Sequence, residues 1–195
     1  SIGVALRDTD GNGSLALFVT HLRSQTNTLY GGGGAGNMLD KTAASGHGHA
    51  RFPNTAFGNA MFDLELDGDL DIAIANGRVS LSPEYEKLAA SDHDETDEVA
   101  HYVAGYGEPD QGFVNVGGGR FESGCPDAGP FCNEPSVARG LLTVDIDSDG
   151  DLDLLMTRSN GSARIYRNDA PRAGDWLTVR VLDRTGSHDA IGAIV

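Results

Sequence analysis

Apolar positions along the chain fall in short runs. Val4 to Leu6, Ala60 to Phe62 and Leu141 to Val144 are each followed by a cluster of acidic residues and glycine. Each cluster is followed in turn by a second apolar run, through Phe18-Val19-Thr20, Ala73-Ile74-Ala75-Asn76 and Leu155-Met156-Thr157. Runs this short, bounded by turn-forming residues, predict strands in hairpins. The 27 glycines among 195 residues are about twice the average share, and they favour tight turns over long helices. No apolar run approaches the ~18 residues of a membrane-spanning helix.

The pattern repeats. Asp8-Thr9-Asp10-Gly11-Asn12-Gly13-Ser14-Leu15-Ala16, Asp63-Leu64-Glu65-Leu66-Asp67-Gly68-Asp69-Leu70-Asp71 and Asp145-Ile146-Asp147-Ser148-Asp149-Gly150-Asp151-Leu152-Asp153 align without gaps. A second landmark recurs downstream, an aromatic residue opening another short strand, at Tyr30, Phe113 and Tyr166. The first and third spacings agree, so the middle repeat carries an insertion. It lies over about residues 83–108, where Glu84, Glu86, Asp92, Asp94, Glu95, Asp97 and Glu98 indicate a solvated acidic loop with room for a helical turn near Tyr85. Each repeat offers about four strands, the periodicity of β-propeller blades. The expected fold is therefore all-β, with three blade-like repeats of an incomplete ring. The divisions are 1–56, 57–135 with the insert, 136–172, and a further segment 173–195. The terminal residues read as cuts through the pattern, so the chain is expected to be a fragment whose partners are the remaining blades or neighbouring subunits.

The acidic loops carry the chemistry. Carboxylates at loop positions 1, 3, 5 and 9 around a glycine at position 6 build an oxygen cage suited to Ca²⁺, which takes six to eight oxygens, better than to Mg²⁺, which dehydrates reluctantly. An EF-hand is excluded, because Val19, Ile74 and Met156 stand where its bidentate glutamate belongs and the flanks are strand-like. Two sites are expected: Asp63, Glu65, Asp67, Asp69 and Asp71; and Asp145, Asp147, Asp149, Asp151 and Asp153, with Asp151 giving its carbonyl. A third, weaker site has Asp8, Asp10, Asn12 and Ser14, with Ala16 in place of the last carboxylate. An Asp-Gly turn without metal is the alternative for each loop. Two divalent ions would offset part of a net charge of −15. That charge also argues against nucleic acid or an anionic membrane as partner.

The loops resemble the FG-GAP/VCBS repeat of calcium-binding β-propellers. Phe57-Gly58-Asn59-Ala60-Met61-Phe62-Asp63 with Ile74-Ala75-Asn76-Gly77-Arg78-Val79, and Asp175-Trp176-Leu177-Thr178-Val179-Arg180-Val181 with Ser187-His188-Asp189-Ala190-Ile191-Gly192-Ala193, are similar to the ASPIC/UnbV type, which includes cartilage acidic protein. The resemblance implies secretion or a cell-surface location, calcium, and a structural, adhesive or protein- and glycan-binding role without catalytic residues. A calcium-dependent polysaccharide lyase or hydrolase, or a lectin, is the alternative.

Remaining candidates are minor. Cys125 and Cys132, the two cysteines, flank Pro126, Gly129 and Pro130 and read as a loop disulfide. Asn160 and Asn12 match the N-glycosylation pattern. His47-Gly48-His49 lacks a third metal ligand and reads as an exposed glycine-rich loop. His21, His93, His101 and His188 have no recognisable catalytic partners. Gly31 to Gly36 lacks the lysine and strand-to-helix context of a phosphate loop and reads as a flexible turn.

Overall fold

The computed structural model describes residues 2–33, 37–49, 54–81, 83–89, 105–125, 129–159, 161–191 and 193. Among the described residues eleven strands are distributed over three antiparallel sheets. The first sheet contains β1 (Val4–Arg7), β2 (Ala16–Val19), β3 (Thr28–Gly32) and β4 (Met38–Asp40). The second contains β5 (Ala56–Phe62), β6 (Asp71–Asn76), β7 (Gln111–Asn115) and β8 (Phe121–Ser123). The third contains β9 (Ala138–Val144), β10 (Asp153–Arg158) and β11 (Arg164–Tyr166). Strands follow one another in sequence order within every sheet, so each acidic loop joins the first and second strands of its sheet.

The middle sheet is the centre of the molecule. All six residues of β6 are buried, and the two-residue period of a strand divides them between two cores. Ile72 and Ile74 face the first sheet, packing with Phe18, Leu29, Met61, Phe113 and Phe121. Ala73 and Ala75 face the third, packing with Phe62, Phe131, Leu154 and Met156. At about 25 cal/mol per Å² of apolar area, these two cores are the main favourable contribution to folding. The outer faces of the flanking sheets remain open. Val4 and Leu6 are exposed on the first, and Leu142, Val144 and Ile165 on the third.

The all-β expectation holds, with one correction to strand count: the third sheet has three strands among the described residues. After Tyr166 the chain does not return as a hairpin. Asn168 closes a turn by accepting the Ala170 N–H at 3.0 Å, and Pro171, which has no N–H to offer a ladder, follows. The chain then crosses the acidic loops of the second and third sheets, where the Ala173 N–H donates to the Glu65 carbonyl at 2.6 Å. In the insert, α1 (Pro83–Ala89) replaces part of the expected loop and buries Tyr85. Most of the remaining acidic insert, with His93 and His101, lies outside the described residues. A second short helix, α2 (Pro130–Asn133), carries Cys132, which is disulfide-bonded to Cys125.

Candidate metal centre

All three acidic loops adopt one conformation. The position-1 carboxylate accepts the N–H of the position-6 glycine in each: Asp8 from Gly13 at 2.7 Å, Asp63 from Gly68 at 2.9 Å and Asp145 from Gly150 at 3.2 Å. The position-5 side chain accepts the position-7 N–H in each, Asn12 from Ser14, Asp67 from Asp69 and Asp149 from Asp151. Positions 4 and 6 have positive φ throughout, 66° and 81°, 59° and 94°, then 62° and 94°. Leu66 and Ser148 hold this left-handed conformation at position 4, where a side chain costs of order 1–3 kcal/mol. The turn is evidently imposed by the pattern of carboxylate-to-backbone bonds around it.

The third loop is the best-formed site. Asp145, Asp147 and Asp149 bring one carboxylate oxygen apiece to within 4.8 Å of one another, the one such convergence of three acidic, His or Cys donors among the described residues. Partial desolvation, then the charges of Asp149 and Asp153, push Asp147 above the ordinary carboxylate range. The buried Oδ1 atoms of Asp145 and Asp151 have no hydrogen-bond partner among the described residues. Orphaned anionic oxygens of this kind are costly unless a cation completes them. Two features of this loop were not anticipated from sequence. Arg172 places Nη2 2.7 Å from Asp149 Oδ2 and 2.9 Å from Asp151 Oδ2, so the Asp151 side chain is engaged by a guanidinium. Trp176, the chain's single tryptophan, lies against Gly150, leaving no room for a side chain there.

The second loop is more enclosed. Asp71 is buried and its carboxyl is pushed up to about 7, burial outweighing the N–H donors of Asn115 and Leu64. Burial also raises Glu65, with the charges of Asp67 and Asp63 adding to it, and its buried Oε2 is orphaned. In the first loop Asp10, Asn12 and Ser14 are exposed, and Ala16 supplies no oxygen.

The position-9 aspartates have a structural part as well. Asp71 accepts the Leu64 N–H and the Asn115 N–H, both at 2.8 Å; Asp153 accepts the Ile146 N–H at 2.9 Å and the Asn168 N–H at 2.8 Å. Each aspartate thus ties the loop to the third strand of its sheet or, for Asp153, to the residues just after it, while each oxygen keeps a second lone pair. The two asparagines then clamp neighbouring sheets. Asn115 donates from Nδ2 to the Thr9 carbonyl at 3.1 Å, and Asn168 donates to the Leu64 carbonyl at 2.8 Å, each reaching position 2 of the preceding loop. The sequence held a signal for this, an Asn two residues after the repeated aromatic, at Phe113-Val114-Asn115 and Tyr166-Arg167-Asn168. The first repeat has Gly32 there.

His47 corrects its expectation. It is buried in the first core, where its Nδ1 meets Ser45 Oγ at 2.6 Å and its Nε2 meets the Asn27 carbonyl at 3.1 Å. Desolvation lowers its pKa below the usual imidazole value. Gly31 and Gly32 belong to β3, contrary to the flexible-turn reading of that stretch. Asn12 is exposed, and Asn160 lies outside the described residues. No helix among the described residues is long and apolar enough to cross a membrane. Comparison with protein-family models and with curated proteins returned no match.

Proposed function

We propose that this protein is a calcium-stabilised interaction module that works outside the reducing cytosol, its three sheets serving as blades of an FG-GAP/VCBS-type propeller of the ASPIC/UnbV kind. The observation that carries this reading is the convergence of Asp145, Asp147 and Asp149 together with the orphaned oxygens of Asp145 and Asp151. The donor set is all oxygen and hard, which fits Ca²⁺. The second loop, through Asp63, Glu65 and Asp67, with Asp69 and Asp71 beside them, is a second site, and the first loop binds weakly without a position-9 carboxylate. The Cys125–Cys132 disulfide supports an oxidising compartment, hence a secreted or cell-surface location.

In this role the cation rigidifies the hairpins that join neighbouring sheets and performs no chemistry. The exposed apolar outer faces of the first and third sheets are where further blades or neighbouring subunits would pack. Extracellular proteins or glycans are the partners such a module would present itself to.

The test uses Trp176 as a reporter of the third loop. Thermal unfolding and tryptophan fluorescence are followed in Ca²⁺, in Mg²⁺ and in chelator. A site filled at a hundred times its Kd adds ~2.7 kcal/mol, which for a domain of this size raises Tm by roughly 5–11 °C. D147N should lose most of that gain. An identical Tm and emission in Ca²⁺ and chelator would overturn the calcium reading.

A further inference from the structure

A cavity lies beside the acidic loop of the first sheet. In the second and third sheets the position-9 carboxylate accepts the N–H of an asparagine beside it, Asp71 from Asn115 and Asp153 from Asn168. The register places Ala16 and Gly32 at the corresponding positions of the first sheet, since Leu17 pairs with Tyr30 as Ile72 pairs with Phe113 and Leu154 with Tyr166. Both side chains are thereby deleted, and a cavity of about 210 Å³ opens there.

Its walls carry two cations and one carboxylate. In place of an aspartate the cavity is lined by Ala16, and by two cations, Lys41 and Arg120. The Lys41 stem lies across Gly31, where any side chain would collide with it. Arg120 is delivered by the β7–β8 turn, where Gly117, Gly118 and Gly119 have φ of 103°, 65° and 72°, a run of left-handed residues that only glycine adopts readily. Cations are scarce in a chain of net charge −15, and Arg78, Arg164, Arg167, Arg172 and Arg180 are in ion pairs. Among the described residues Lys41 and Arg120 make none, as is also true of Arg7, Arg23, Lys87, Arg158 and Arg184. The same lining includes Asp10, Asn12 and Ser14 of the loop, residue types whose side chains hydrogen-bond hydroxyls.

We infer that this cavity binds an acidic sugar residue, its carboxylate held by Lys41 and Arg120 and its ring hydroxyls by Asp10, Asn12 and Ser14. The volume lies below the range for drug-sized ligands and suits a single ring. Two cations supply charge-assisted bonds to the carboxylate, and the hydroxyl-binding wall distinguishes a sugar acid from a bare carboxylate. The site is separate from the third-loop metal centre; it shares Asp10, Asn12 and Ser14 with the weak first-loop cation site, so sugar and cation would compete there.

The test titrates the protein, with chelator present so that no carboxylate binds through a loop-held cation, against glucuronate, glucose and acetate by calorimetry. Expected is saturable one-to-one binding of glucuronate, with glucose and acetate each weaker by about tenfold or more. K41M should weaken glucuronate by a similar factor, and A16D, which restores a carboxylate to the cavity, should abolish binding. R120M, at an exposed side chain, carries the same test if K41M or A16D melts early. Absence of saturable binding, equal affinity for acetate, or unchanged affinity in R120M would overturn the proposal.

Discussion

Asn115 makes the sharpest test of how the sheets are held together. Its side chain donates from Nδ2 to the Thr9 carbonyl at 3.1 Å and to the Leu70 carbonyl at 3.2 Å, and accepts the Gly117 N–H at 3.0 Å. It is 3% exposed, so water replaces these bonds poorly. At about 0.5–1.5 kcal/mol net per bond, and more where a buried partner is left unsatisfied, N115A should cost about 2–4 kcal/mol. For a domain of this length that is a Tm loss of roughly 4–16 °C. N115D separates the parts, because it keeps an acceptor for Gly117 but loses both donors and sets a second carboxylate beside Asp71. It should cost at least as much as the alanine variant. N168A, which loses one donor bond and one acceptor bond, should cost less than N115A. The assay is urea unfolding at fixed Ca²⁺, repeated in chelator, reading the midpoint. A loss below about 1 kcal/mol for N115A, or N168A proving the more damaging, would refute the clamp.

Two further outcomes follow from the charges. R172A removes the counter-ion of Asp149 and Asp151; it should lower the metal-free Tm slightly and tighten Ca²⁺ binding, with Tm in chelator and calorimetry as readouts. Asp110 is buried, its carboxyl pushed up to about 7 by burial against the Asn76 N–H. Its folded pKa lies above the unfolded value, so the folded state binds more protons between pH ~4 and ~7 and stability falls as pH rises through that window, by about 1.4 kcal/mol per unit at the steepest, then levels off. D110N, measured by unfolding midpoints from pH 4 to 8, should flatten that fall; an unchanged profile would refute the assignment.

The three-fold repetition was legible from residue spacing alone, because the loop conformation is local. A carboxylate at position 1 reaches the glycine N–H five residues on, and a position-5 side chain reaches position 7, whatever surrounds them. The short apolar run ending at Ala73-Ile74-Ala75-Asn76 likewise announced a strand. Those facts sit within one hairpin, where sequence distance and spatial distance agree.

What the tertiary structure decided lies between hairpins. Asn115 and Asn168 find their acceptors 106 and 104 residues away, so their repeated place after the aromatic marked them without showing what they clamp. Arg172 meets Asp149 and Asp151 only because Asn168 and Pro171 turn the chain away from a fourth strand and across the loops. His47, in a stretch of glycine and polar residues, was drawn into the first core by Ser45 and the Asn27 carbonyl, which satisfy both of its ring nitrogens. The cavity under the first loop required knowing that Ala16 and Gly32 stand diagonally across the β2–β3 register. A local pattern specifies which turn forms; which groups are left over to bind something depends on what the packing of distant strands brings beside it.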